Sequence, residues 1–322
     1  MKPTKIYLVI IALLIVITSC EEPFSPRADY DERYSFNCVV RGDTAFQVAT
    51  TYKSYDVSYL DPYENTTDPF IHNSFIRMWV GDSVYVFRDS SIERTDNSRY
   101  DTPVNFYYIN NYKPRSGDFI EMETLLPNGR RLKSSTNVPE RVEFNFASSD
   151  RSFPTGHGGN VNISWIPAFS GQLFSAKIVL NYRKIEDGVS VRYTKEIPIQ
   201  YVEENGNRTP VYPIPRKTPI LQIPSSIIEE ILLGISEGDE NKQNYIIFAI
   251  TVELKVFDRN LSGYYSSVSR IDDSFSIRLD ELDFSNIDGG FGVFGSYVID
   301  NFAILFDDDY IKSLGYRIGT GN

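Results

Sequence analysis

The chain of 322 residues has only two cysteines and two histidines. Cys20 and Cys38 cannot supply a disulfide framework, so stability has to come from packing. His72 and His157 stand alone, and no HExxH, CxxC or paired-histidine spacing occurs, which argues against a zinc site. Positive charge is also short. Lys and Arg number 32 against 43 Asp and Glu, a formal charge of −11. That balance excludes nucleic acid as a partner, because phosphate binding needs clustered Lys and Arg. It also opposes adsorption onto an anionic membrane surface. No apolar run reaches the roughly 20 residues that span a bilayer as a helix. No repeat of solenoid or propeller period is present.

The longest apolar run is Ile6–Ile17, after Lys2 and Lys5. It has the length of a secretory signal core. Ile17-Thr18-Ser19-Cys20 closes it and resembles a bacterial lipobox, in which the cysteine is acylated after cleavage just before it. The expected organisation is a lipoprotein signal peptide over 1–19, lipidation at Cys20, and a tether over 20–31. Losing Lys2 and Lys5 takes the charge from −11 to −13, so attachment would rest on the lipid. Several acyl chains anchor stably where one does not. The acidic, proline-bearing stretch after Cys20 resembles the surface-export signal of Bacteroidota-type lipoproteins.

Hydrophobic residues make up 41% of the chain, enough for true cores. From residue 32 on, short segments rich in Tyr, Phe, Val, Ile and Thr alternate with turn residues, which is the strand signature. Gly81-Asp82 sits between Phe75–Val80 and Ser83–Phe87 as a two-residue type II′ loop. It predicts the pairs Val80 with Ser83, Met78 with Tyr85 and Ile76 with Phe87. Asn128-Gly129 predicts a second hairpin with a type I′ turn. Cys38 alternates with Tyr34, Phe36 and Val40 and reads as a small core residue. Asn137-Val138-Pro139-Glu140 interrupts the pattern and is read as a domain boundary. Beyond it, Phe174–Tyr182 alternates strictly, and Asp187-Gly188 turns the chain back. Ile246, Phe248, Ile250, Val252, Leu254 and Val256 form the longest apolar face, expected in a central strand. One helix is expected near 225–236, with Ser226 and Glu229 as a capping box and Ile227, Ile228, Ile231, Leu232 and Ile235 at helical spacing. A last short helix is expected over Asp307–Leu314. The predicted fold class is mainly β: two β-sandwich (Ig-like) domains, 32–138 and 140–322, the second carrying the helical insertion.

Catalytic motifs are fragmentary. Gly81-Asp82-Ser83 resembles the nucleophile block of GDS-type esterases, but no late Asp-x-x-His follows. Gly156-His157-Gly158-Gly159 resembles a lipase oxyanion loop without the G-x-S-x-G elbow it would serve. Asn286, Asp288 and Gly289 match three places of an EF-hand loop, while Phe284 and Gly295 occupy its first and last liganding places. Asp272-Asp273 and Asp307-Asp308-Asp309 read as solvated charge. The 22 Tyr and 21 Phe suit strand cores. A sugar-stacking platform would have only Trp79 and Trp165 as its largest rings.

Near the end lies Asn286-Ile-Asp-Gly-Gly-Phe-Gly-Val-Phe-Gly-Ser296. It resembles the C-terminal GG-(F/L/Y)-G-(I/V)-FG block of a Bacteroidota-type family of uncharacterised outer-membrane lipoproteins. Pro114-Arg-Ser-Gly-Asp-Phe-Ile-Glu-Met-Glu and Pro127–Leu132 with Ser-Thr-Asn-Val-Pro139 resemble two further blocks of that family. The resemblance implies an outer-membrane, lipid-anchored protein, accessory to a TonB-dependent transporter, with no cofactor, no metal and no catalytic residue to carry over. A surface glycan-binding lipoprotein is the alternative. Phe291 and Phe294 are the candidate partner contacts, a core turn being the other reading of the same segment.

Overall fold

The structure is a computed structural model that describes residues 30–56, 61–156, 158–204, 206–268 and 284–319. Contacts divide the chain into Met1–Glu32 and a second unit, Arg33–Asn322. Of the first, only 30–32 are described, so the expected signal, Cys20 and most of the tether lie outside the described residues. No described helix is long and apolar enough to cross a membrane.

The second unit is mainly β, as the alternation predicts. Its first half forms β1 (Tyr34–Arg41), β2 (Gln47–Lys53), β3 (Phe75–Val80), β4 (Ser83–Val86), β5 (Arg88–Ile92), β6 (Val104–Ile109), β7 (Phe119–Leu125) and β8 (Arg131–Asn137). The second half begins with β9 (Glu143–Phe144), β10 (Ser152–Phe153), β11 (Asn160–Ile166), β12 (Phe174–Glu186), β13 (Val189–Glu196), β14 (Gln200–Glu204), β15 (Asn207–Val211) and β16 (Ile220–Pro224). It continues with α1 (Ser225–Gly234), β17 (Tyr245–Phe257), α2 (Arg259–Val268), β18 (Phe291–Phe306), α3 (Asp308–Ser313) and β19 (Arg317–Ile318). A ten-stranded sheet runs β13-β12-β17-β18-β1-β2-β6-β5, with β10 on β18 and β19 on β17. Beside it are a four-stranded sheet β4-β3-β7-β8, a three-stranded sheet β16-β11-β9 and the pair β14-β15.

The expected division at residues 138–140 does not separate two bodies. β1 lies parallel to β18, from Ser35 opposite Phe291 to Arg41 opposite Tyr297, so the large sheet passes straight through the predicted boundary. Two layers pack against this one sheet. Ile76, Met78, Ile120 and Leu132 of the four-stranded sheet share a core with Phe36, Cys38, Ala49 and Tyr107. Val161, Ile163, Leu221 and Ile223 of the three-stranded sheet share the same continuous core with Ile178, Ile250, Val252 and Leu254. Ring contacts join the second pair of layers, Trp165 to Phe174 at 5.3 Å and Phe144 to Phe302 at 5.0 Å. The Pro139 interruption is real, yet Val138 is buried and exchanges both backbone hydrogen bonds, its N–H to Asp118 O and its carbonyl to Gly117 N–H. A connection fixed in this way is a strand end, not a hinge.

The first hairpin has the expected register, Val80 opposite Ser83 and Met78 opposite Tyr85, with Phe87 N–H donating to Ile76 O. Gly81 takes φ +55°, which a II′ turn requires at its first central residue. The second hairpin forms, but not by a type I′ turn. β7 and β8 are joined by five residues, and Gly129 N–H donates to Leu126 O. Pro127 has φ fixed near −65°, which suits the first central place of an ordinary turn and leaves only Gly129 at positive φ.

β17 is central, but its inward face changes phase. Opposite Asn181 and Tyr182 the register skips Phe248, a β-bulge. Tyr245 and Ile247 are therefore the buried residues before the bulge, and Ile250, Val252, Leu254 and Val256 those after it. The expected alternation holds only for the last four. Helix α1 buries Ile227, Ile228, Ile231 and Leu232 as its spacing predicts. Its capping box is not made: the helix begins two residues before that box would start it, with Pro224 at the N-cap, which leaves the Ser226 side chain inside the first turn. The expected last helix forms as α3, with Asp307 accepting from Tyr310 N–H at 2.9 Å.

Helix α2 was not expected, because Ser, Gly and Asn make its propensity poor. A buried carboxylate nucleates it. Asp258 Oδ1 accepts from Leu261 N–H at 2.7 Å, an N-cap contact. Its Oδ2 accepts from Ser296 N–H at 2.6 Å, from Ser296 Oγ–H at 3.0 Å and from Thr136 Oγ–H. One side chain thus links β17, α2, β18 and β8. Burial is the largest influence on it and raises its pKa, while the four donors pull the other way.

Candidate functional site

The glycine-rich block Gly289–Ser296 is the start of a core strand. Phe294 is fully buried and meets the Phe36 ring at 6.5 Å. Its backbone is held on one side by the Asn286 amide, which accepts from Phe294 N–H at 2.9 Å and donates to Phe294 O at 2.7 Å. Phe294 is therefore not a partner contact, contrary to the expectation that paired it with Phe291. Phe291 is 47% exposed, with the Arg33 guanidinium 5.4 Å from its ring centroid. The glycines on either side of Phe291 admit a neighbouring backbone. A Cβ on Gly292, which has φ +110°, would lie 2.1 Å from Phe36 O. One on Gly290 would lie 2.6 Å from Tyr34 O. Close parallel pairing with β1 requires both to be bare.

A cleft of about 1450 Å³ opens where the β6–β7 connection and the tip of the β3–β4 hairpin face the large sheet. Its floor comes from cross-strand rows. Lys177 on β12, Glu253 on β17 and Asn301 on β18 are directly opposite one another, and Lys255 and Ile299 form the next row. Lys113, Arg115 and Ser116 form one wall, with Ser83, Tyr85 and Arg141 nearby. Five of the nineteen described lining residues are Lys or Arg, against 32 of 322 in the chain. An acidic protein here carries a locally cationic surface.

The walls are fixed by carboxylates. Asp118 Oδ2 accepts from Tyr112 Oη–H at 2.8 Å and from Arg115 N–H at 2.9 Å, closing the turn that displays Arg115. Tyr112 is buried, and its carbonyl accepts from Gln47 Nε2 at 3.0 Å. Burial, with the Asp118 hydrogen bond second, raises the Tyr112 pKa. Asp43 accepts from Arg41 Nε at 3.1 Å, Arg41 Nη2 at 2.8 Å and Tyr297 Oη–H at 2.9 Å. The Arg41 hydrogen bonds hold the Asp43 carboxyl down at about 2, and burial pushes the Tyr297 hydroxyl up to about 12. The cations are less occupied. Arg141 lies 3.6 Å from the buried Asp300, and Lys255 lies over the Tyr297 ring at 5.3 Å. Lys113, Arg115, Lys177 and Lys255 make no ion pair among the described residues.

A second surface lies on the outer face of the four-stranded sheet. Arg77 sits between Phe75 and Trp79, 5.3 Å and 5.0 Å from their ring centroids, and pairs with Glu123 at 2.6 Å. The other tryptophan, Trp165, is buried. The remaining motif fragments fall in structural places: Gly81-Asp82-Ser83 is the hairpin turn, and His157 lies outside the described residues. Asp272-Asp273 also lies outside them. Among the described residues no three His, Cys, Asp or Glu side chains group as a metal site. Cys38 is buried, which pushes its thiol up to about 12 and makes it a core residue. The cleft itself was missed by sequence reasoning, because its cations come from four distant segments. The only local signal was Lys113-Pro-Arg115 between two strands.

No family model matches the chain, and no curated protein matches it. Among solved structures it is similar to the C-terminal globular domain of an oligosaccharyltransferase from Pyrococcus abyssi, at 12% identity and a TM-score of 0.21. That match covers 76% of this chain and 54% of the other, and a likeness so slight fixes neither fold nor function.

Proposed function

We propose that the chain is a lipid-anchored, non-enzymatic binding protein of the outer membrane, accessory to a TonB-dependent transporter. The observation that carries the binding role is the cleft. Two of its carboxylates, Asp43 and Asp118, are engaged in holding its walls, which suits a preformed binding surface better than acid–base chemistry. Support for the anchor is the Ile17-Thr-Ser-Cys20 pattern followed by an acidic tether. Exposed Phe291, beside the strand that follows that tether, is the proposed partner contact.

The test is fractionation and co-purification from native membranes in mild detergent. Wild type is expected in the outer-membrane fraction together with a transporter. Cys20→Ala is expected to remain unprocessed or become soluble. Stable membrane retention of Cys20→Ala with its signal correctly removed overturns the anchor, and wild type recovered without a transporter overturns the accessory role.

A further inference from the structure

The geometry points to an anionic saccharide chain as the ligand of the cleft, an inference that rests on reading the cleft as the binding surface and not on how the protein is anchored. Lys177 and Lys255 stand diagonally on adjacent strands, flanking Glu253. Diagonal neighbours of this kind lie about 7–8 Å apart. Lys113 and Arg115 face the same space from the loop, and Arg141 from the connection after β8. Cations on two sides of an open cleft suit a ligand whose negative charges recur along its length. The three lining acids lower this excess without removing it: Asp43 is ion-paired with Arg41, while Asp118, which accepts from neutral donors, and Glu253, opposite Lys177, keep their charge against five cations.

The neutral lining selects among polyanions. Ser83, Asn111, Ser116 and Asn301 present hydroxyl and amide groups, the partners that sugar hydroxyls use, and Tyr85 offers half-buried ring surface. Twelve of the nineteen lining residues are charged or carry an amide or aliphatic hydroxyl. A peptide is usually held by apolar anchors in pockets, and this lining suits a ligand that is polar throughout. Uronate carboxylates and sulfate esters share the required chemistry, and the probes below separate them.

The experiment is affinity electrophoresis and calorimetry of the full chain in mild detergent against polygalacturonate, dextran sulfate, neutral dextran and poly-glutamate. Wild type is expected to bind polygalacturonate or dextran sulfate, weakening as salt is raised, and to ignore neutral dextran. Two charge-reversed variants, Lys113→Glu with Arg115→Glu and Lys177→Glu with Lys255→Glu, are each expected to lose at least tenfold in affinity. The first pair is exposed on a loop, so its loss cannot be put down to unfolding. Trp79→Ala, on the other exposed surface, is expected to bind as wild type. The inference is overturned if neither anionic polysaccharide binds, if both charge-reversed variants bind normally, or if Trp79→Ala abolishes binding. Poly-glutamate binding as tightly as the saccharides overturns it in favour of an acidic protein. None of these results bears on fractionation of Cys20→Ala, so the two readings fail separately.

Discussion

Truncating Phe294 and Phe291 separately distinguishes core from surface within one eight-residue block. Phe294 is fully buried against Phe36, while Phe291 is 47% exposed. Removing a buried ring costs about 3–5 kcal/mol, counting transfer and the cavity left behind. Phe294 lies near the start of a strand, paired on one side with β1 and bound on the other by Asn286, so the site has little room to collapse. With an unfolding entropy of about 2.1 cal/mol/K per residue, a unit the size of Arg33–Asn322 loses about 5–8 °C for that change. Phe291→Ala gives up partial burial and one exposed cation–π contact, together below about 1 kcal/mol. Thermal melts followed by near-ultraviolet circular dichroism measure both, and co-purification measures the partner contact. Phe294→Ala is expected to melt several degrees lower. Phe291→Ala is expected to melt near wild type and to lose the transporter. Equal melting shifts for the two variants would refute the reasoning, since the difference in burial is what sets the expected shifts apart.

Gly292→Ala forces a Cβ to within 2.1 Å of Phe36 O at φ +110°, and is expected to cost more than about 3 kcal/mol in denaturant melts. Asp258→Ala strands Leu261 N–H and Ser296 N–H and is expected to cost about 3 kcal/mol, with amide exchange in α2 rising before that of the large sheet. The Asp43 pKa is lowered from 3.8 to about 2, so its contribution is present above about pH 4 and disappears as pH falls toward 2. Asp43 and Arg41 are 31% and 47% exposed, which limits the pair to below about 1 kcal/mol. The stability gap between wild type and Asp43→Asn should therefore be small at neutral pH and close in acid titration. Residues 140–322 produced alone are expected to aggregate rather than fold, because β18 loses β1 and Asp258 loses Thr136. A monomeric fragment with a cooperative melt would restore the boundary at 138–140.

Some local structure was legible from backbone preference alone, although Asn128-Gly129 did not make its type I′ turn and Ser226 did not cap its helix. Gly81-Asp82 announced its hairpin and register, and the apolar spacing of Ile227–Leu232 announced α1. Legibility failed where a distant partner decided the outcome. The bulge opposite Asn181 turned Ile247 rather than Phe248 inward, which no period-2 pattern in β17 encodes. Pro139 looked like a linker because the parallel pairing of β1 with β18 leaves no turn between them to read. Helix α2 has weak propensity and owes its start to Asp258 and the donors around it. The cleft has the same character. Lys177 and Lys255 are ordinary outward residues of alternating strands until the sheet sets them opposite Lys113 and Arg115.

The two neighbours of β1 become available at very different times. β2 follows within a few residues, but the bond from Val293 N–H to Asn37 Oδ1 spans 256 residues. At a synthesis rate of about 5–20 residues per second, β18 emerges roughly 13–50 s after β1. For that interval the β1–β2 pair has an unfilled strand edge, the kind of edge that templates pairing with another chain. The middle of the large sheet is therefore among the last parts that can close. Whatever delivers this protein to its destination has to carry it, or shield that edge, until the strand beginning at Phe291 has been made.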